Sequence, residues 1–297
     1  VLIHRYRGGL GDIICILPGV LNMMRQIDTD VLLAIPKIYH FLFPEDVRCV
    51  NYRDLFGDKG RHTTKYFQVR EQYGLAIDLY CPAGMHETYL NQRPIKNRIE
   101  IFTEMLEGEP VIPKIKLAPL VNFELTSYLK NVFDTDKIKV GIQIGSERIE
   151  KDWSPDKWMR FARKIKKYGF QPITFHSENR LVGVPGVTDL KLEEVAHVID
   201  KHIDVMIGID SGLMHLAAGL GKPTYWLFGP TDGALTLKYY LNAEFIQYIK
   251  DPLCHCPCYY NEKFNNFRCY NQFSDCMGRI KVNELVELFK AFYAKIN

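Results

Sequence analysis

The chain has 297 residues, enough for two domains of ordinary size. Hydrophobic residues make up 47% and charged residues 25%, a soluble globular balance, and a net charge of +3 is too small for a broad nucleic-acid footprint. No apolar run approaches the roughly 18 residues that a membrane span needs, and no leader peptide is visible from Val1 onward.

Residues 1–4 read as a first strand, which enters the turn Arg7-Gly8-Gly9-Leu10-Gly11-Asp12. A helical pattern follows, with Ile13, Ile14, Leu17, Val20, Leu21 and Met24 on one side and Pro18 inside it. Strand, glycine turn and helix open a nucleotide-binding fold. A dinucleotide fingerprint fails here because Ile14 stands where the third glycine belongs, and no Gly-Lys-Ser/Thr makes a Walker loop. By chemistry alone Asp12 is either a helix cap or a general base. Further strands are expected at residues 30–35, 47–52 and 75–79, with a loop over 54–70. Residues 80–98 show no period, and Arg93, Lys96 and Arg98 read as a solvated basic loop, with contact to an anionic acceptor as the alternative. Helices are expected at 97–106 and 123–133, and residues 134–137 make the best linker.

Beyond the linker, Ile138, Val140, Ile142 and Ile144 alternate as a strand that ends at Gly145-Ser146. Lys151-Asp152-Trp153 leads into a helix with Ser154 as N-cap and Pro155 at the first helical position, and Gly169 ends it. A strand at 170–175 and a helix at 192–199 follow. The apolar run 205–209 is then broken by Asp210-Ser211-Gly212, and Leu213, Leu216, Ala217 and Leu220 mark one face of a short helix. Ser211 or Asp210 is its N-cap, and Gly221 with Pro223 closes it. A buried strand at 224–228 runs into Gly229-Pro230-Thr231. The N–H groups at the start of that short helix favour an anion, with phosphate the usual one, and His215 lies one turn along. Residues 239–250 are not readable, and 282–296 form a helix with an aromatic face.

Five of the eight cysteines crowd between Cys254 and Cys276. Such spacing in a reducing compartment argues for a thiolate-bound zinc or iron of structural kind, with Cys254, Cys258, Cys269 and Cys276 as ligands, Cys256 as the fifth candidate and His255 as an outside one, against a redox-sensitive cluster of free thiols as the alternative. Cys15, Cys49 and Cys81 are scattered among apolar neighbours and read as inert buried thiols.

The strings GLGDIICILP, KDW, DSGLMHLAAGLGKP and LFGPT together resemble glycosyltransferase family nine, the heptosyltransferases of lipopolysaccharide assembly. The likeness departs at Ser154, where that family usually has proline. It implies an α/β fold of GT-B type, two Rossmann-like domains with parallel sheets and an interdomain cleft. Residues 1–134 would hold the acceptor and 138–281 the nucleotide-sugar donor, with the helix at 282–297 crossing back to the N-terminal domain. The resemblance makes Asp12 the general base, with Gly9 and Gly11 on the acceptor side. It gives donor binding to Gly145, Ser146, Lys151, Asp210, Ser211, Gly212, His215 and Thr231. The implied reaction is inverting transfer of a heptose, from ADP-heptose, to a hydroxyl of a lipopolysaccharide-type glycan. A protein hydroxyl and a non-catalytic nucleotide-sugar binder are the alternatives. No catalytic metal, nucleic acid or membrane span is implied, the location is the cytoplasm, and contact with a membrane surface stays open.

Overall fold

The computed structural model describes residues 1–58, 61, 63–80, 94–146, 149–176, 181–248, 258 and 276–296. In chain order the strands are β1 (Leu2–His4), β2 (Leu32–Ile35), β3 (Arg48–Asn51), β4 (Ala76–Asp78), β5 (Ile138–Gln143), β6 (Phe170–Phe175), β7 (Gly186–Val187), β8 (Val205–Ile209), β9 (Thr224–Phe228) and β10 (Ala243–Gln247). The α-helices are α1 (Leu10–Gln26), α2 (Tyr52–Phe56), α3 (Thr64–Glu71), α4 (Arg98–Met105), α5 (Ser127–Phe133), α6 (Pro155–Lys167), α7 (Leu192–His202), α8 (Gly212–Gly219), α9 (Gly233–Leu237), α10 (Cys276–Arg279) and α11 (Val282–Ile296).

The strands form two sheets, in the orders β3-β2-β1-β4 and β10-β9-β8-β5-β6-β7. Every pairing is parallel, with Leu2 opposite both Leu32 and Ala76 in the first sheet, and Val140 opposite Val205 in the second. The strand order reverses between β1 and β4 and again between β5 and β8. Ligands in open parallel sheets bind outside the carboxyl ends of strands at such switch points. The Gly-rich turn after β1, Gly145-Ser146 after β5 and Asp210 after β8 all stand there.

Local chemistry explains most elements. All five residues of β8 and of β9 are buried, as central parallel strands require. Ser154 accepts a hydrogen bond from the Lys157 amide (3.4 Å), and Pro155 follows it at the start of α6. Pro18 sits within α1 without ending it. A close approach sets the neighbour of α1. A Cβ added at Gly19 would lie 2.9 Å from Leu106 and 3.2 Å from Thr103, so α4 can pack along α1 only because glycine is there.

Two expectations are corrected, and one stretch without a sequence reading gains an element. Residues 54–70 are not all loop, because α2 and α3 fall there, with Thr63 capping α3 (3.1 Å from the Tyr66 amide). The stretch 239–250 contains β10. The final helix packs on the second sheet's own layer rather than on the N-terminal half. Val282, Leu285, Val286, Phe289 and Phe292 are buried in one core with Trp158, Phe161, Phe170 and Tyr225. Its aromatic stripe demanded an apolar wall, and α6 supplies one with Phe161 edge-on to Phe289 at 5.7 Å.

Behind the first sheet, fully buried His4 lies 5.0 Å from the Phe56 ring and 5.6 Å from Tyr66. Burial pushes its pKa down to about 4, with Asp78 opposing the shift. The folded chain therefore keeps His4 neutral while the unfolded chain protonates it near the ordinary 6.5. Stability is present above that value and falls as the pH drops from 6.5 toward 4, by up to about 3 kcal/mol. Denaturant midpoints measured between pH 4 and 7 should fall more steeply for wild type than for His4→Phe. Parallel curves would relieve His4 of that role.

Candidate active site

A cleft of about 780 Å³ runs between the carboxyl ends of the two sheets. Its walls include Gly9, Gly11 and Asp12 from the first half, and Gly145, Ser146, Lys151, Asp210, Ser211, Gly212, His215 and Thr231 from the second. All the acceptor-side and donor-side residues singled out from sequence thus meet in one place.

On the first wall, Asp12 lies at the third position of α1 and accepts from the Gly9 amide at 3.0 Å, so it does cap the helix. It also faces two arginines. Arg98, at the first position of α4, donates to Asp12 Oδ1, and Arg5 Nη2 stands 3.4 Å from Oδ2. Burial opposes ionisation of Asp12, but the arginines and the Gly9 N–H outweigh it and hold the carboxyl below its usual range. Arg5 is fixed from behind by the Leu79 carbonyl and by the Phe102 ring, 4.9 Å from its guanidinium carbon. A Cβ at Gly8 would lie 2.5 Å from Arg5 Nε, so the turn needs glycine for the guanidinium to fit. Arg98 is not a solvated basic loop residue, because it begins a helix and is spent on Asp12. Lys96 lines the same cleft and pairs with Glu104 at 2.6 Å, while Arg93 lies outside the described residues.

The second wall is organised around Asp210, which is 8% exposed. Its Oδ2 accepts from Lys151 Nζ at 2.7 Å and from the Thr231 hydroxyl at 2.8 Å, and Oδ1 faces His215 Nε2 at 3.8 Å. Burial would raise its pKa, yet the Lys151 ammonium and His215 hold the carboxyl far below the carboxylate range. His215 is oriented from behind by the Tyr240 hydroxyl, 2.9 Å from Nδ1. Ser211 occupies the N-cap position of α8, but its side chain makes no capping bond. The Ser211 Oγ is buried without a partner among the described residues. Among the described residues no side chain caps the first turn of α8, which lines the cleft, and uncapped helix-start amides are an arrangement suited to an anion. At Ser146 the amide donates to Asp152 at 3.0 Å, so it is taken within this wall.

The two walls touch where α1 meets α8. A Cβ at Gly11 would come within 2.8 Å of the His215 ring, and one at Gly212 within 2.7 Å of Leu10.

Of the cysteines expected to bind metal, Cys254, Cys256 and Cys269 lie outside the described residues, as does His255. The Cys258 amide donates to the Pro230 carbonyl at 3.0 Å, and Cys276 Sγ would lie 3.1 Å from a Cβ at Gly229. Both thus back onto the turn that carries Thr231. Among the described residues no group of three or more His, Cys, Asp or Glu could hold a metal ion.

Arg5, Tyr240 and the pairing of Arg98 were not found from sequence. Strand alternation puts His4 and Arg5 on opposite faces, and that parity was the one available hint that Arg5 faces α1.

Two parallel-sheet α/β halves with their carboxyl strand ends across one cleft, a carboxylate on one wall and a helix start on the other, make a GT-B glycosyltransferase. The chain belongs to glycosyltransferase family 9 (heptosyltransferase), whose model matches residues 85–256. Among solved structures it is similar to the ADP-heptose lps heptosyltransferase II of E. coli, at 13% identity and a TM-score of 0.68 over 99% of this chain and 98% of that one. It is also similar to the iron-containing dodecameric glycosyltransferase TibC of enterotoxigenic E. coli H10407, at 14% identity and a TM-score of 0.73 over 100% of this chain and 76% of that one. A third likeness is to E. coli heptosyltransferase WaaC with ADP-2-deoxy-2-fluoro heptose, at 14% identity and a TM-score of 0.58 over 98% and 99%. At such identities these likenesses carry the fold alone. No protein of curated function matches. No helix among the described residues is long and apolar enough to cross a membrane.

Proposed function

We propose that the enzyme is an inverting heptosyltransferase that takes heptose from ADP-heptose and delivers it to a hydroxyl of a lipopolysaccharide-type glycan. Residues 1–134 serve as the acceptor domain, and 138–281 with the final helix as the donor domain. The observation that carries this reading is the opposition of Asp12 on one wall to Lys151 and the open start of α8 on the other.

In the reaction Asp12 takes the proton of the acceptor hydroxyl as its oxygen bonds to the anomeric carbon. A sugar hydroxyl is too weak an acid to ionise unaided near neutral pH. The bond from that carbon to the diphosphate breaks on the opposite face, and its electron pair leaves on the phosphate oxygen. Lys151 and the amides at the start of α8 meet the charge that builds there, and such fixed groups act most strongly when the charge develops. One displacement inverts the anomeric centre. Asp210, held by Lys151, Thr231 and His215, keeps the lysine at the donor wall. Basic side chains and a helix start supply the leaving-group stabilisation in this reading, so it calls on no divalent ion. A cytoplasmic location belongs to this reading, supported only by the use of a nucleotide-sugar donor.

Incubation with ADP-heptose and a heptose-deficient lipopolysaccharide should release ADP and extend the glycan with an inverted linkage, read by NMR. Retention of configuration would end the single-displacement mechanism. Equal turnover of other nucleotide sugars would end the assignment of donor, and transfer only to a protein would move the acceptor to the second reading, a protein hydroxyl.

The cysteine segment is proposed to hold a structural zinc or iron. Support comes from the cysteine density and from the placing of Cys258 and Cys276 on one turn, and the similar TibC is iron-containing. Thiolates suit either ion. Elemental analysis of reduced protein should find about one metal per chain, and a metal-free, fully active sample would rule it out.

A further inference from the structure

We infer that Asn97 and Glu100 are positioning residues for the transfer, tying the donor-side segment 235–239 to the helix turn that holds Arg98 against Asp12. The inference starts from the first turn of α4, where three neighbouring polar residues each serve a different part of the fold. Asn97 is the N-cap. Its Oδ1 accepts from the Ile99 amide at 2.7 Å, while its Nδ2 donates to the carbonyls of Leu235 (2.6 Å) and Thr236 (3.0 Å). Glu100 also works at both ends. Oε2 accepts from the Asn97 amide at 2.7 Å, and Oε1 accepts from Lys238 Nζ and from the Tyr239 hydroxyl at 2.9 Å. Arg98 lies between them and donates to Asp12.

The partners are placed with equal economy. Leu235 and Thr236 stand at the end of α9, where helix carbonyls lack partners within the helix, and the Asn97 amide supplies them. Asp232 caps the start of α9, accepting from the Leu235 amide at 2.9 Å, directly after Thr231, whose hydroxyl holds Asp210. Hydrogen bonds and one short helix therefore run without a break from Asp210, through Thr231 and α9, to Asn97 and Glu100, and so to the turn that carries Arg98. Plain domain glue is the simpler account, and the half-exposed Lys238 adds little by itself. Glue does not explain why the two bridging residues flank the arginine that pairs with the base. Asn97 is only 4% exposed and gives both amide hydrogens to the other half of the chain. Its loss would release the start of α4, and Arg98 with it.

Asp12 is faced by Arg98 from α4, by Arg5 from the end of β1, by His215 from α8 and by the Gly9 amide, with Cys15 beside Arg5. Arg98 lowers the carboxyl's pKa more than Arg5 does. A loosened tie should therefore raise it, and the effect should vanish once Arg98 is gone.

The test is a carbon-13 titration of the Asp12 carboxyl in the unliganded protein, assigned with Asp12→Asn. Asn97→Ser keeps a capping oxygen but loses both cross-chain donors. Lys238→Met with Tyr239→Phe removes the Glu100 half of the tie with no substitution in α4, and it decides the matter if Asn97→Ser fails to fold. Each should move the Asp12 titration upward, in the direction of Arg98→Met, and neither should move it further in an Arg98→Met background. An unmoved titration, or a shift that adds to that of Arg98→Met, would overturn the inference. Only a second arm rests on the heptosyl-transfer reading. With ADP-heptose, the tie variants should lose about tenfold or more in turnover with donor affinity kept, because misplacing a catalytic group costs rate before binding. Their acid limb should move to higher pH. A wild type that never releases ADP from ADP-heptose would sink that reading and leave the carboxyl titration to decide this one.

Discussion

Replacement of Asp12 by Asn should lower the transfer rate by about 10²–10⁴-fold, the range for losing a positioned general base, while ADP-heptose binding stays within a few-fold of wild type. Asn keeps the shape of Asp, and its amide oxygen can still accept from Gly9 and one arginine, so the start of α1 should survive. The second arginine is left with a weaker partner, and a modest loss of melting temperature is the expected side effect. Single-turnover rates with saturating donor separate the two effects. A variant that transfers heptose within a few-fold of wild type would reduce Asp12 to the cap that its bond to Gly9 also makes it. The arginines add a second expectation for wild type. With the carboxyl held below its usual range, the base stays ionised well into mildly acid pH, so the acid limb of the rate profile should lie low.

Lys151→Ala should lower turnover by about 10²–10³-fold, comparable to removing one preorganised group from a developing oxyanion, and should weaken ADP-heptose binding less. The reason for the split is timing, since the diphosphate is already anionic when bound and the further charge on its leaving oxygen develops only as the sugar bond breaks. The substitution also strands Asp210, a buried carboxylate that would keep Thr231 and His215 but lose its cation. Breaking a buried pair from one side destabilises by about 3–5 kcal/mol, so loss of folded protein could masquerade as lost catalysis. Pairing Lys151→Met with Asp210→Asn separates them. The double variant removes both charges, so its melting temperature should recover while its turnover does not. Recovery of both would make Lys151 a structural partner of Asp210 and nothing more.

Much of this architecture is legible in the chain, and the part that is not has a common physical cause. The turn after β1 and the β8–α8–β9 unit announce themselves, because buried parallel strands are continuous apolar runs and the turns between them need glycine or a short polar residue. The start of α6 is equally plain from Ser154-Pro155. The helices α2 and α3 escaped because their polar residues hide a weak apolar period, and only the Thr63 cap marks a start. β10 escaped as an edge strand with a single buried residue, Ile246, so no clean run or alternation signals it. For α11 the residues declare an aromatic face but not which wall receives it. The site shows the same division. Asp12, Lys151 and Asp210 follow from local motifs, whereas the Arg98–Asp12 contact joins residues 86 positions apart, and no local pattern encodes such a pair. Likewise Ser211 holds the place of a helix cap without making the bond.

The seam between α1 and α8 has a consequence for how such chains can change over time. Each half carries its own sheet and could drift at its own pace, yet at Gly11 and Gly212 neither half has room for one methyl group from the other. A side chain at position 11 meets the His215 ring, and one at 212 meets Leu10 and the Gly11 backbone. The halves are therefore heritable as a matched set. A chimera that borrows its acceptor half from a distant relative must bring a glycine to that one position, however well the rest of its surface fits.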